Sequence, residues 1–238
     1  RRLPRRRLPR DGRRGRVALS RDIDAFRAEA VAFLTGAQAA GTACPAYGAI
    51  VPPALHNQAR AWQRQLAAAG FAGLHWPVDY GGRGLGRAHT AVWMEECARA
   101  QVSPYLNLQG LVLAGEAILR SGTDEQRRRF LPRTLTGELL WCQLFSEPGA
   151  GSDLTSLTTA AVADGDRYVI DGTKIWSSNA QHAEYGILLA RTDAQQRGHR
   201  GISFFLLDMT TPGVVVRPIR QLTGDQEVCE VFLAGVAG

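Results

Sequence analysis

Apolar residues recur at helical spacing through the first half of the chain. After Ser20 they fall at Ile23, Phe26, Ala30, Val31, Phe33 and Leu34, an i, i+3, i+4, i+7 series. That spacing predicts a helix of about five turns with Ser20 as its N-cap. A second helix is expected after Pro52 and Pro53, through Leu55, Trp62 and Leu66, ending at Gly70, where glycine takes the left-handed cap. Helical spacing returns over 89–100 and 106–119. Thr123, followed by Asp124, Glu125 and Gln126, gives a further start signal, an N-cap with acids in the first turn. Between these helices the stretch FAGLHWPVDYGGRGLG reads as a Gly-rich loop with an aromatic centre.

After Gly137 the periodicity changes from helical to alternating. Short β-branched and aromatic runs occupy 139–145, 158–162, 168–171, 174–176, 185–191, 202–208, 214–218 and 227–233. Turn signals separate them at Asp164-Gly165, Asp171-Gly172, the polar stretch 192–201 and Pro212-Gly213. The pattern predicts an α+β chain: a helical domain over 20–138, then an antiparallel β-barrel or sandwich over 139–238. Helices and strands are segregated along the chain, which excludes the alternating order of a Rossmann fold.

Composition supports a folded chain, with 45% hydrophobic and 21% charged residues. The net charge of +6 is more local than it looks. The first sixteen residues, RRLPRRRLPRDGRRGR, hold nine basic residues and one acid, and acids slightly outnumber bases in the remainder. Nucleic-acid binding through a folded basic face is therefore excluded. Residues 1–19 are expected to be a disordered Arg-rich tail, because Pro4 and Pro9 disfavour helix and apolar periodicity is missing. No apolar run approaches the roughly 18 residues of a membrane span. Cys44, Cys97, Cys142 and Cys229 are too scattered for a zinc site or a disulfide framework, which suits a reducing cytoplasm. The chain opens on Arg1, has methionine only at Met94 and Met209, and stops just after a strand, so a fragment is expected.

Two segments carry candidate chemistry. In Phe145-Ser146-Glu147-Pro148-Gly149-Ala150-Gly151-Ser152-Asp153 the glycines allow close backbone approach to a ligand, and two hydroxyls offer donors. It is neither a P-loop nor a G-x-G-x-x-G motif, and taken alone it reads as a plain turn. In Lys174-Ile175-Trp176-Ser177-Ser178-Asn179 a tryptophan is followed by polar donors, which suits a flat aromatic ligand stacked on its face and bonded at its edge. The alternative is a core tryptophan followed by a turn.

Taken in order, WCQLFSEPGAGSDL, GDRYVIDGTKIWSSNAQHAEYGILLARTD, GISFFLLDM and PGVVVRPIRQLTG resemble the middle domain of the acyl-CoA dehydrogenase family of flavoproteins. GLHWPVDYGGRGL and ILRSGTDEQRRRFLPRTLTGE resemble that family's helical N-terminal domain. The resemblance implies FAD held between the β-domain and a C-terminal four-helix bundle that is absent from this sequence. It places Gln143, Leu144, Phe145 and Ser146 along the isoalloxazine edge, and Gly151 and Ser152 at the pyrophosphate and near the acyl-CoA. It places Trp176 over one face of the flavin, with Ser177 and Ser178 donating to it. Leu106, Gln109, Gly110 and Leu113 would floor the substrate cavity.

The implied reaction is α,β-dehydrogenation of an acyl-CoA thioester, with electrons passed to an electron-transferring flavoprotein. Full-length relatives are expected to form homotetramers or heterotetramers. No acid here matches the family's catalytic glutamate, and Glu147 reads as a brace of its loop, so the chain alone is expected to be inactive and no catalytic residue is assigned. A non-catalytic partner subunit of a complete dehydrogenase is the alternative, and oxidases or flavin monooxygenases on the same scaffold stay open.

Overall fold

A computed structural model describes residues 12–48, 50–196 and 198–237, with side chains from residue 22 onward. Five α-helices come first: α1 (Gly12–Ala39), α2 (His56–Ala68), α3 (Arg87–Ala100), α4 (Gly115–Ser121) and α5 (Asp124–Leu135). Seven strands follow: β1 (Trp141–Leu144), β2 (Ala160–Asp164), β3 (Arg167–Ser178), β4 (Tyr185–Arg191), β5 (Ile202–Asp208), β6 (Val214–Ile219) and β7 (Val228–Ala237). The segregation of helix from sheet agrees with the sequence pattern. Helix α1 begins ahead of Ser20, at Gly12. No proline follows Pro9 until Pro45, so nothing stops the helix from running back through the arginines. The rest of the expected tail lies outside the described residues.

The expected stop and start signals work by the expected chemistry. Gly70 takes φ +75° just after α2. Thr123 caps α5 reciprocally: its Oγ1 accepts from Gln126 N at 3.2 Å, and its own N–H donates to Gln126 Oε1 at 2.9 Å. Thr123→Ala is expected to cost about 1 kcal/mol, read as a fall in the unfolding midpoint with unchanged denaturant slope.

The 106–119 stretch departs from a regular α-helix. Gln109–Ala114 forms a π-turn before α4, in which Gly115 N–H reaches back to Gly110 O. Gly115 lies flat against the fully buried Trp76, where a Cβ would stand 2.1 Å from the indole ring.

The sheet is curled and mixed, in the order β1-β4-β2-β3-β7-β6, with β5 on β4. Antiparallel pairings dominate, but β1 runs parallel to β4, from Trp141 opposite Tyr185 to Leu144 opposite Leu188, and β2 meets β4 parallel at Arg191. The expected antiparallel pairing holds for the rest of the sheet. Asp171-Gly172 is also not a turn. The chain passes through it as one strand, β3, with a register shift against β7. Gly172 is required there because a Cβ would meet Thr159 Oγ1 at 2.4 Å.

Two clusters of buried side chains meet at β1 and β4. Trp141, Tyr185 and Ile187 point into the helical core, beside Phe130, Leu131 and Leu135. Cys142, Leu144, Leu188 and Ala190 point into the sheet's own core, beside Ile170 and Val231. Polar groups fasten the same seam. Asn107 donates to Thr134 O and Leu139 O and accepts from Trp141 N. Arg60 pairs with Glu184 at 2.7 Å, and Glu184 also accepts from Leu140 N. The four cysteines are buried and free. Among the described residues no helix is long and apolar enough to cross a membrane, and no His, Cys, Asp or Glu cluster has metal-ligand geometry.

Candidate functional site

The loop that leaves β1 is clamped from below. Glu147 N–H donates to Ala150 O and Ala150 N–H donates back, closing a tight turn. The Glu147 carboxylate is 6% exposed and accepts from Thr158 N, Thr158 Oγ1, Thr159 N and Lys174 Nζ. Lys174, the single lysine of the chain, is fully buried 2.8 Å from that carboxylate and also donates to Phe145 O. Burial pushes the carboxyl pKa up, but the Lys174 ammonium and the threonine donors overcome it and hold it at about 2. Glu147 is thus a brace that is ionised at neutral pH. Its position as the loop's internal partner agrees with the sequence expectation.

Above this clamp a cleft of about 110 Å³ opens between the helical and sheet domains. Gln143, Phe145 and Ser146 form one wall, Ile175, Trp176 and Ser178 the other, and Gln109 of the π-turn the end. Among the described residues strand β1 pairs with β4 alone, and its other edge carries no sheet pairing. Trp176 is 61% exposed and takes φ +60°, a left-handed conformation that costs a bulky residue about 1–3 kcal/mol. The register of β3 against β7 shifts between Lys174 and Ser177, and this irregularity turns the indole outward.

Six of the sequence candidates converge on this cleft: Gln143, Phe145, Ser146, Trp176, Ser178 and Gln109. The others do not line it. Leu144 points to the opposite face and packs over Gly186 near Met209. Ser177 is buried with an unpartnered Oγ, because strand alternation sends it inward between its two outward neighbours. Gly151 and Ser152 stand exposed on the loop beyond the turn. Leu106 belongs to the helical core, Gly110 is buried against Asn107, and Leu113 is exposed on the π-turn. Ile175 and the Lys174–Glu147 clamp were not anticipated. The clamp's signal was available in the sequence, since a lone lysine inside an apolar alternating run needs a buried partner. A larger groove of about 700 Å³ lies elsewhere, between Glu116, Arg120 and Gln126 and the β5 residues Phe204 and Leu206. None of the candidates lines it.

Comparison with known proteins agrees with this architecture. Residues 25–138 match the model of the acyl-CoA dehydrogenase N-terminal domain, and residues 142–236 match that of the middle domain. The chain is 44% identical over 214 residues to acyl-CoA dehydrogenase IpdE1 of Mycobacterium tuberculosis, covering 89% of this chain and 55% of that protein. Among solved structures, the ChsE4-ChsE5 complex from Mycobacterium tuberculosis superposes with TM-score 0.75 at 30% identity, covering 91% of this chain and 54% of that one. The structure named Tcur3481-Tcur3483 steroid ACAD superposes with TM-score 0.74 at 31% identity, covering 91% and 55%. The chain thus spans about half the length of the relatives it matches. With both domain models matched in order over a helical half and a curled sheet, the chain belongs to the acyl-CoA dehydrogenase family.

Proposed function

We propose that the cleft is one wall of an FAD site and that the chain forms the N-terminal and middle domains of an FAD-dependent acyl-CoA dehydrogenase. The observation that carries the proposal is Trp176, held outward in a left-handed conformation beside the unpaired edge of β1. An isoalloxazine ring needs an apolar surface for its face and polar groups for its edge. The indole of Trp176 offers the first. The amide of Gln143, the hydroxyls of Ser146 and Ser178 and the free edge of β1 offer the second. When bound, FAD supplies the two-electron redox chemistry for α,β-dehydrogenation of an acyl-CoA thioester.

The chain's own residues would orient and cover the ring. The Lys174–Glu147 clamp holds the carbonyl of Phe145 and the loop that follows in place beneath the site. Glu147 does not act as the base, since it is buried and spent on Lys174 and on the Thr158 and Thr159 donors. No residue of this chain is assigned as catalytic. Electrons would leave to an electron-transferring flavoprotein, within a homotetramer or heterotetramer. The similarity to a structure named steroid ACAD supports a bulky alicyclic acyl group. The four free, buried cysteines suit a reducing compartment such as the cytoplasm.

Trp176→Ala is expected to weaken FAD binding at least about tenfold, the scale of one lost aromatic stack. Titration of the purified protein with FAD, followed by flavin fluorescence, measures it. Unchanged affinity would show that the cleft is not the flavin site. A second reading, a non-catalytic subunit paired with a complete dehydrogenase, is favoured by the likeness to the two-component ChsE4-ChsE5 complex. Under that reading the cleft acquires FAD affinity only when a second polypeptide is co-expressed.

A further inference from the structure

The seam between the helices and the sheet carries two histidines in contact. His56 is the first residue of α2, and His182 closes the short turn Ala180–His182 that follows the end of β3. Their rings lie 4.2 Å apart, inclined by 44°. One ring comes from the helical half and one from the sheet half, so the contact is itself part of the junction. Arg60, one helical turn after His56, fastens the same place. It donates to Gly137 O, to His182 O and, at 2.7 Å, to the Glu184 carboxylate. The turn also continues the cleft wall. Trp176 and Ser178 line the cleft, Asn179 follows in a left-handed conformation with φ +59°, and His182 N–H donates back to Asn179 O. His56 and Asn179 border one small void together with Gln109, the residue that ends the cleft.

This packing suits two neutral rings and opposes two charged ones. Two imidazolium ions at that separation repel each other. Helix α2 presents its positive end to His56. Arg60 adds a third cation beside both rings, while Glu184, just ahead of β4, pulls the other way but is already engaged by Arg60 and by Leu140 N. Burial, His182 and Arg60 together push the His56 pKa below its ordinary 6.5, and burial and Arg60 do the same for His182.

We propose that the His56–His182 pair is an acid-released latch, in which protons taken up from solvent force the rings apart, part the helical half from the turn after β3 and slacken the Trp176–Ser178 wall of the cleft. The latch stands on the seam itself, and its effect on a ligand rests on the reading of the cleft as a flavin site. The sign follows from linkage. A histidine whose pKa is lowered on folding contributes stability that is complete above about 6.5 and is lost as the pH falls below that value.

Denaturant unfolding at about pH 7.5 and about pH 5.5 tests the latch without a ligand, since ordinary carboxylates stay ionised over that range. The reference is the double variant His56→Phe/His182→Phe, which keeps two packed rings that cannot take up a proton. On acidification the unfolding constant of the wild type is expected to rise about fivefold more than that of the double variant, the repulsion of two unit charges at about 4 Å under water-like screening. The remaining histidines are the same in every variant and cancel. His56→Phe and His182→Phe alone each remove the mutual repulsion, and each is expected to lose more than half of the difference. Equal acid sensitivity in the wild type and all three variants overturns the latch. Titration with FAD at the same two pH values, with any subunit the protein needs, reads the cleft. The wild-type dissociation constant is expected to rise about fivefold at the lower pH, and that of the double variant to stay within about twofold. Flavin affinities with the same pH dependence in both proteins overturn the coupling to the cleft wall. Absence of flavin binding at both pH values overturns the flavin reading instead, and the unfolding comparison still decides the latch.

Discussion

Lys174→Met is expected to be the most destabilising single change in the sheet domain, lowering the free energy of unfolding by about 3–5 kcal/mol. The reason is what it leaves behind. Glu147 is almost fully buried, and its ammonium partner sits 2.8 Å away with no exposure at all. Removing the cation strands an ionised carboxylate in an apolar core, and also releases the Phe145 carbonyl that Lys174 holds. Denaturant unfolding followed by fluorescence and circular dichroism measures the loss. Glu147→Gln combined with Lys174→Met is expected to recover part of it, because the buried charge is gone and the single amide oxygen still accepts from Thr158 N and Oγ1.

The same pair sets an acid limit. The Glu147 carboxyl falls from 4.5 to about 2 on folding. A depressed carboxyl contributes stability that is complete above its unfolded value and is lost as the pH falls from about 4.5 towards 2. The wild type is therefore expected to lose stability steeply across that window. Lys174→Met, whose Glu147 has lost its main stabilising partner, is expected to lose less. Equal acid sensitivity in the two proteins would show that the ion pair does not hold the carboxyl ionised.

Gly115→Ala is expected to cost about 3 kcal/mol, the upper end for overpacking. The added methyl would stand 2.1 Å from the ring of Trp76, which is fully buried, and 2.9 Å from the Gly110 carbonyl that closes the π-turn. Neither is the loose end of a flexible side chain. Trp76 is fixed by its packing, and Gly110 by Asn107. The strain is expected to rearrange the π-turn, so the near-ultraviolet circular dichroism of the tryptophans changes along with the unfolding midpoint. Gly149→Ala is the control, because a Cβ there meets nothing within 4 Å. Comparable losses in both variants would show that the tight contact at Gly115 is relieved without cost.

The sequence disclosed those features whose physics is local. Thr123 and Gln126 announce a capping box because both partners lie within one turn, and Gly70 announces a helix end because left-handed backbone suits glycine. The switch of periodicity after Gly137 places the domain change because side-chain period differs between helix and strand. What stayed hidden depends on contacts distant in sequence. The parallel pairing of β1 with β4 joins Trp141 to Tyr185, and nothing near either residue encodes it. Asp171-Gly172 has the composition of a hairpin turn, but the close approach of Thr159 makes it a kink inside one long strand. The π-turn at Gln109 arises from the packing of Gly115 on Trp76, some forty positions upstream. At the site, residues of both motifs line one cleft. The motifs did not reveal which face each residue takes, and so Ser177 and Leu144 turned inward while Ile175 came out.

The alternation of β1 and β4 between two cores has a consequence for anyone recombining such proteins. Trp141, Tyr185 and Ile187 belong physically to the helices, although all three follow the point where the helical half of the sequence ends. A chimera spliced at that point would graft foreign side chains onto the helical core, one from β1 and two from β4. The border between the two modules is therefore not a position in the chain but a line drawn lengthwise down a pair of strands, and a functional exchange has to carry both sides of it.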